Sequence, residues 1–218
     1  MKDEKVKGEK LTRLQRFIES TPGPVVVAVS GGVDSTFLLK FTLDVRGRGD
    51  VFAVFMDSPF CSVTDRGWVE AIGEQLEVEI TAIRWDPLKY LEIRSNTRLR
   101  CYWCKLHMYS ILKEKMERFC VRSIFDGTQA DDLHRDRPGL TAIKRLKVLT
   151  PLADFSLTKA EIRCESNKYG LVTADRVSEA CLATRIAPAR LLTLNGLTKV
   201  DEGLLRGIVS LDHAVTQQ

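Results

Sequence analysis

No apolar run in the sequence is longer than about six residues, and no segment is repeated or of low complexity. Such runs are far shorter than the roughly 20 apolar residues that a helix needs to cross a bilayer. The first ten residues, MKDEKVKGEK, are charged and contain no apolar core of the kind found in secretory signals. We therefore expect a globular protein of the cytoplasm with no membrane partner.

The sequence also lacks a strong excess of charge. Its formal net charge is +4 and its pI is near 8.7, with 28% charged and 44% hydrophobic residues. This mild positive balance fits a small anionic ligand as well as nucleic acid. Because no basic stretch with interleaved aromatic residues is present, we do not expect a nucleic-acid partner. The 218 residues suffice for one large domain, or for one domain with a small appendage.

The sequence contains few closely spaced cysteines. Its six cysteines include a single Cys-x-x-Cys motif, formed by Cys101 and Cys104. In a reducing compartment we expect free thiols or metal ligands and no disulfides. The motif lies at the start of a predicted helix, where the helix dipole is expected to lower the thiol pKa. His107 follows at metal-ligand spacing, and Cys181 is the remaining candidate ligand. The spacing leaves a redox dithiol, half of a zinc site and iron–sulfur ligation open.

Segments with the pattern of strands alternate with helical segments along the chain. The continuous apolar run Val25–Val29 is typical of a strand that is covered on both faces. The other predicted strands are Asp50–Asp57, Val78–Trp85, Arg122–Thr128 and a short fifth strand or extended segment, Val148–Asp154. The predicted helices are Thr12–Ser20, Ser35–Val45, Asp65–Leu76, Tyr102–Phe119, Lys159–Tyr169 and one after Leu192. This alternation predicts an α/β fold, a parallel sheet with helices on both faces and a short C-terminal helical extension.

A glycine pair directly follows the first predicted strand, in the string Ser30-Gly31-Gly32-Val-Asp34-Ser35. The glycines let the backbone approach a ligand closely, and the amides that follow converge at a helix N-terminus, which attracts anions. Ser30 and Ser35 add hydroxyl donors. Asp34 next to a phosphate would be repelled unless a cation lay between them, so it predicts Mg²⁺. The string is not a Walker A loop, since it lacks the G-x-x-x-x-G-K-[ST] spacing.

The same string resembles the pyrophosphate loop (PP-loop) of the N-type ATP pyrophosphatases, enzymes that adenylylate a carboxyl, carbonyl or amide oxygen and release pyrophosphate. This resemblance implies a Rossmann-like fold of the HUP class. It also implies that the two serines, the two glycines and Asp34 bind the phosphates of ATP. We call residues 30–35 the phosphate loop.

Three further strings, in this order, resemble the LarE family of ATP-dependent sulfur transferases, which make a nickel-pincer cofactor. They are CYWCK, DGTQADD…RPGL with TPLADFSLTKAEIR, and ACLATRI. The resemblance runs from about Val25 to Ile186. It implies that a carboxylate of a small mononucleotide acceptor, a pyridinium compound, is adenylylated. A sulfur nucleophile would then displace AMP and leave a thiocarboxylate. A likeness of this kind also implies a homo-oligomer and a sulfide donor as partner.

Members of the LarE family obtain the transferred sulfur in two ways. Some sacrifice the cysteine of the last motif, here Cys181, whereas others hold a [4Fe–4S] cluster with three cysteines. Because Cys101 and Cys104 are present as well, we expect the cluster type, in which three thiolates leave one iron open for a sulfide. Sacrificial Cys181, a zinc site that includes His107, a cluster-dependent tRNA thiolase and a non-enzymatic nucleotide- and cluster-binding protein remain alternatives.

Polar residues after the other predicted strands complete the expected site, because ligands of such sheets bind at the carboxyl ends of the strands. We expect Ser58, Asp126 and Gly127 to bind ATP, and Arg185 to act in catalysis beside Asp34 and Cys181. Weaker candidates for Mg²⁺, substrate or phosphate are Asp131, Asp132 and Arg137; we assign no role to Cys61, Cys120 and Cys164.

The predicted organisation has three parts. Residues 1–22 form an N-terminal helix, residues 23–176 the PP-loop ATP pyrophosphatase domain, and residues 177–218 a C-terminal segment with the Cys181 motif and a helical tail. The segment before Cys181, TADRVSEAC, lacks the Trp and Lys-Pro that are usual in the LarE family. The basic stretch that follows the last motif in that family is not found here either. The identity of the acceptor therefore stays open.

Overall fold

Four parallel strands lie at the centre of the protein, in the spatial order β3-β2-β1-β4. They are β1 (Val25–Val29), β2 (Val51–Asp57), β3 (Ile80–Arg84) and β4 (Ser123–Phe125). The coordinates are a computed structural model that describes residues 2–117, 119–134 and 137–207, with side chains from residue 6 onward. In the sheet, β1 pairs in parallel with both β2 and β4, so the ends of these three strands meet at one edge.

Nine α-helices surround the sheet in the described part of the chain. They are α1 (Lys2–Ser20), α2 (Val33–Arg46), α3 (Val63–Leu76), α4 (Leu91–Arg94), α5 (Arg100–Glu117), α6 (Pro138–Arg145), α7 (Pro151–Asp154), α8 (Lys159–Lys168) and α9 (Leu194–Leu205). Short 3₁₀ turns at 48–50, 87–89, 130–134 and 182–185 lie between them.

Side chains of β1 alternate between two apolar clusters, one on each face of the sheet. Val25, Val27 and Val29 pack with residues of α1, α2, α3 and α8. Val26 points the other way and packs with residues of α5, α6 and α9. A strand between two helical layers needs apolar residues at every position, which explains the unbroken apolar run. The predicted α/β fold with helices on both faces is confirmed.

The prediction of a short strand or extended segment over Val148–Asp154 is wrong from Pro151 onward. Leu149 forms only an isolated parallel bridge with Phe125, and α7 begins two residues later at Pro151. Proline has no N–H to donate to a strand ladder, and its fixed φ suits the first position of a helix. The chain therefore turns away from the sheet after a single paired residue.

The predicted helix after Leu192 is confirmed as α9, which Thr193 caps by accepting a hydrogen bond from the amide of Gly196 at 3.1 Å. Leu197 and Val200 are buried in the apolar cluster on the α5 side of the sheet. The helix is therefore packed onto the core. The rest of the predicted tail, residues 208–218, lies outside the described residues. No helix within the described ranges has both the length and the apolar character needed to cross a membrane.

Candidate active site

One cavity of about 450 Å³ lies at the edge where β1, β2 and β4 end. Most of the residues predicted for the site line it: Ser30, Gly32, Asp34, Ser35, Ser58, Cys101, Cys104, Asp126, Gly127 and Cys181. The phosphate loop and the three cysteines of the motifs therefore share one cavity, although 65 residues or more separate them in the sequence. Parallel pairing of the strands and the position of α5 bring them together.

The phosphate loop is held closed by its own hydroxyls. The Ser35 hydroxyl donates to the carbonyl of Gly32 at 3.0 Å and accepts from the amide of Ser30 at 3.2 Å. The Ser30 and Ser35 hydroxyl oxygens are also 3.2 Å apart. The predicted hydroxyl donors thus fix the shape of the loop. Gly32 is the N-cap of α2 and has no side chain to cap the first amides of that helix, which leaves them for an anion.

Gly31 occupies a position that only glycine fits well. Its φ is +80°, a left-handed value that other residues rarely adopt. A Cβ atom there would lie 2.8 Å from Nη1 of Arg176 and 3.0 Å from the carbonyl oxygen of Asp65. Gly32, in contrast, has a φ of −83°, and the nearest atom to an added Cβ is Oγ of Ser30 at 3.6 Å. The two glycines thus meet different requirements.

Asp34 is paired with a lysine that the sequence did not identify. Its Oδ2 accepts from Nζ of Lys159, the first residue of α8, at 2.7 Å. Burial raises the pKa of Asp34, and the lysine opposes that rise. The sequence predicted Mg²⁺ because Asp34 would otherwise repel a phosphate. The positive charge of Lys159 reduces that repulsion. The other oxygen, Oδ1, is buried without a hydrogen-bond partner among the described residues.

Both oxygens of Asp126 are engaged inside the protein. Oδ2 accepts from Nζ of Lys105 at 2.9 Å and from the hydroxyl of Tyr109, while Oδ1 accepts from the amide of Thr128 at 2.8 Å and from its hydroxyl. Burial raises the pKa of Asp126, but these donors, with Lys105 foremost, outweigh it and lower the pKa to about 2. The carboxylate therefore anchors Lys105 beside the cavity and has little capacity left for a ligand.

The backbone of Gly127 packs directly against the phosphate loop. A Cβ atom there would lie 3.0 Å from the amide nitrogen of Ser35 and 3.1 Å from its Cα. Its place beside the loop therefore depends on the absence of a side chain.

The Cys-x-x-Cys motif lies in the first turns of α5, which begins at Arg100. Arg100 joins this helix to the segment that carries Cys181, since its Nη1 donates to the carbonyl of Ala183 at 2.8 Å and its Nη2 lies 3.6 Å from Sγ of Cys101. The amide of Leu182 donates to the carbonyl of Phe60 at 3.0 Å. Two distant parts of the sequence thereby meet at one end of the cavity.

The expectation that the start of α5 lowers the thiol pKa is wrong for Cys104. Burial raises the pKa of this thiol to about 12, and negative charge on Cys181 and Cys101 would raise it too. Burial also raises the pKa of Cys181, although Arg100 opposes the rise. A helix dipole acts weakly in comparison with the removal of a thiolate from water. Because a charge on one of these thiols raises the pKa of another, the three sulfurs lie close enough to interact electrostatically.

The arrangement argues against the alternative of a zinc site with His107. Nε2 of His107 lies 2.8 Å from Oε1 of Glu92, and its ring stacks on Tyr90 with the ring centroids 3.8 Å apart. Within the described ranges, no group of three His, Cys, Asp or Glu side chains could hold a single metal ion. A four-iron cluster makes a different demand, because its thiolate ligands bind separate irons around a common volume. Cys101, Cys104 and Cys181 all line this one cavity.

Ser58, which we expect to bind ATP, and the weaker candidates Asp131, Asp132 and Arg137 bond neighbouring groups of the protein. The Ser58 hydroxyl accepts from the amide of Phe60 at 3.2 Å, as in a turn. Asp132 pairs with Arg137 at 2.7 Å, and Asp131 accepts from the amide of Lys159 at 2.9 Å. Arg185 is 5% exposed and is not among the residues that line the cavity.

Sequence reasoning missed four cations that line the cavity, Arg100, Lys105, Lys159 and Arg176, and also Cys61. Lys105 is the last residue of CYWCK, and Lys159 lies within TPLADFSLTKAEIR, so the motifs contained both lysines without indicating their partners. Nothing in the sequence pairs Asp34 with a residue 125 positions away.

Comparison with known proteins supports the resemblance that the motifs indicate. The chain is 28% identical to the pyridinium-3,5-bisthiocarboxylic acid mononucleotide synthase of Lactiplantibacillus plantarum over 81% of this chain and 64% of that protein. It is also 28% identical to an uncharacterized protein of Synechocystis over 88% of this chain and 70% of the relative. No protein-family model matches the chain.

A more distant relative extends the comparison to the wider superfamily. A glutamine-hydrolysing GMP synthase chain from Thermoplasma volcanium is 25% identical over 71% of this chain and 54% of its own length. The resemblance to the LarE family and to the PP-loop superfamily is thus confirmed. The chain spans just under two thirds of the length of the mononucleotide synthase and about half of that of the GMP synthase chain.

We predict that Gly31→Ala damages the protein more than Gly32→Ala, although the same methyl group is added. The first substitution meets both a left-handed φ and a guanidinium at 2.8 Å, whereas the second meets neither. Urea unfolding should show a loss of more than about 1 kcal/mol in the free energy of unfolding for Gly31→Ala alone. Equal losses in the two variants would contradict the glycine geometry described here.

We predict that Asp126 makes stability depend on acid pH. Its pKa is lowered in the folded protein, so its contribution is present above the ordinary pKa near 3.8 and is lost as the pH falls towards about 2. The free energy of unfolding should fall by about 2 kcal/mol over this interval. In Asp126→Asn the free energy of unfolding should lack this decrease between pH 3.8 and about 2. A variant with an unchanged pH profile would show that Asp126 is not responsible.

Proposed function

We propose that the protein is an ATP-dependent sulfur transferase of the PP-loop class. One observation carries the proposal: a single cavity contains the phosphate loop and the three cysteines. An enzyme that activates an oxygen with ATP and then replaces it with sulfur needs both reagents within reach of one acceptor. The similarity to a mononucleotide synthase with a thiocarboxylic acid product supports the same assignment.

The end of the cavity at the phosphate loop is suited to the triphosphate of ATP. Uncapped amides at the start of α2 and the positive end of its dipole would bind phosphate oxygens. Lys159 offsets the charge of Asp34, and the unpartnered Oδ1 of Asp34 would be a ligand for Mg²⁺. These groups would stabilise the negative charge that develops on the leaving pyrophosphate.

The reaction that this cavity would support has two displacements. An acceptor carboxylate oxygen attacks the α-phosphorus of ATP, the bond from this phosphorus to the bridging oxygen breaks, and pyrophosphate leaves with the electron pair. A sulfur nucleophile then attacks the acyl carbon and AMP leaves, which yields a thiocarboxylate. We propose a small carboxylated mononucleotide as the acceptor and a sulfide donor as the second partner.

The cysteine end of the cavity would hold the source of sulfur. Cys101, Cys104 and Cys181 would ligate a [4Fe–4S] cluster, which when bound would supply a replaceable sulfide for transfer. Arg100 would keep Cys181 against α5 through its bond to Ala183. The sacrificial use of Cys181 without a cluster is the second candidate, and the place of this residue in the wall of the cavity favours it.

Asp34→Asn tests the nucleotide half of the proposal. We expect ATP-dependent pyrophosphate release to fall by a factor of about 100 or more, because the variant loses its cation ligand and leaves Lys159 without a counter-ion. Pyrophosphate would be measured with and without a pyridinium carboxylate mononucleotide. The control is Asp44→Asn, whose carboxylate pairs with Lys40 on the surface of α2. Release that is unaffected by Asp34→Asn would contradict the proposed role.

Iron analysis tests the sulfur half. Protein reconstituted without oxygen should contain about four irons and four labile sulfides per chain, as a [4Fe–4S] cluster requires. Cys101→Ala, Cys104→Ala and Cys181→Ala should each lose the cluster absorption, and Cys164→Ala, an exposed cysteine of α8 outside the cavity, should keep it. If no iron is bound and Cys181 loses the mass of one sulfur after turnover, the sacrificial mechanism replaces the cluster.

A further inference from the structure

The segment that leads to Cys181 has few connections of its own to the protein. Residues 177–181 have no regular secondary structure, and none of their amides donates to a backbone carbonyl among the described residues. Val177 is 61% exposed. We call these five residues the cysteine strap. Its position depends on what fixes its two ends, and the far end is fixed by the bond from Leu182 to Phe60.

Arg176 fixes the near end of the cysteine strap to the phosphate loop. Its Nη1 donates to the carbonyl of Gly31 at 2.6 Å, and its Nη2 donates to Asp65 at 2.6 Å. Nη2 also lies 3.4 Å from Oε2 of Glu179 within the strap. The guanidinium lies over the ring of Trp68, and the side chain is only 7% exposed. One buried cation therefore joins the loop, α3 and the strap.

The backbone around Arg176 is held by the helix that also contacts Asp34. Arg163 of α8 donates to the carbonyl of Ala174 and to that of Arg176, both at 2.6 Å. The same helix begins with Lys159, which bonds Asp34 in the phosphate loop. Both connections between the loop and the strap thus converge on Arg176. Its side chain bonds a backbone carbonyl of the loop, whereas Lys159 bonds the side chain of Asp34.

We propose that Arg176 is a positioning residue that couples occupation of the phosphate loop to the placement of Cys181. A ligand that fixes the backbone at Gly31 also fixes the carbonyl that Arg176 binds, and the guanidinium transmits this order to Glu179 and the strap. Arginine reaches Gly31 with Nη1 and Asp65 with Nη2 from two fixed positions of its planar fork, whereas a lysine would have to reach both acceptors from the single Nζ of a shorter side chain. The inference rests on the proposed binding of ATP.

Hydrogen exchange read by mass spectrometry tests this coupling, with Mg²⁺ and ATP as the ligand. In the unsubstituted protein ATP should slow exchange in peptides that cover the phosphate loop and in those that cover 177–182. We expect a slowing of about fivefold or more in the strap, which corresponds to a typical coupling between sites. In Arg176→Gln the loop should still be protected by ATP, and the strap should no longer respond.

Two further variants make the test specific. Arg176→Lys keeps the charge without the fork and should lose most of the response, and it carries the test if Arg176→Gln does not fold in a thermal unfolding assay. Arg48→Gln removes a guanidinium that donates to the carbonyls of Leu76 and Glu77 away from this cavity, and it should behave like the unsubstituted protein.

The possible results separate the two proposals. A strap that still responds to ATP in Arg176→Gln and Arg176→Lys, or that never responds while the loop does, would overturn the coupling and leave ATP binding intact. If ATP protects no amide of the phosphate loop even in the unsubstituted protein, the proposed ATP binding is overturned, and the coupling fails with it.

Discussion

The complete burial of β1 is the constraint on which the site depends. A strand that is covered by helices on both faces belongs in the middle of the sheet, where it pairs with β2 on one side and β4 on the other. Parallel pairing then places the ends of all three strands at the same edge. The phosphate loop, the turn after β2 and the turn after β4 surround one cavity because β1 can occupy no other place.

Three carboxylates around this cavity, one buried and two partly buried, are each matched by a cation that is distant in the sequence. Asp34 of α2 pairs with Lys159 of α8, Asp126 after β4 pairs with Lys105 of α5, and Asp65 of α3 pairs with Arg176. Removal of one partner from such a pair leaves an uncompensated charge in a poorly solvated place. The ion pairs therefore join α2 to α8, α5 to the turn after β4, and α3 to the segment of Arg176, all around the phosphate loop.

The sequence predicted what is local and missed what is formed across the fold. The strands β1 and β2, the phosphate loop and the two cysteine motifs follow from neighbouring residues, and all were found. The pairs Asp34–Lys159 and Asp65–Arg176 join residues 125 and 111 positions apart, so no spacing rule reveals them. The helix dipole at Cys104 was a correct local feature, but burial in the assembled cavity reverses its effect on the thiol pKa.

The cations also give the two ends of the cavity different electrostatic character. Lys105, Lys159 and Arg176 each bond a carboxylate, whereas Arg100 bonds neutral acceptors and lies beside Cys101, with no carboxylate partner among the described residues. Phosphates at the loop would therefore rely on backbone amides and the dipole of α2. Arg100 thus offers a positive charge without a carboxylate partner at the cysteine end, where it would favour an anionic acceptor during the proposed second displacement.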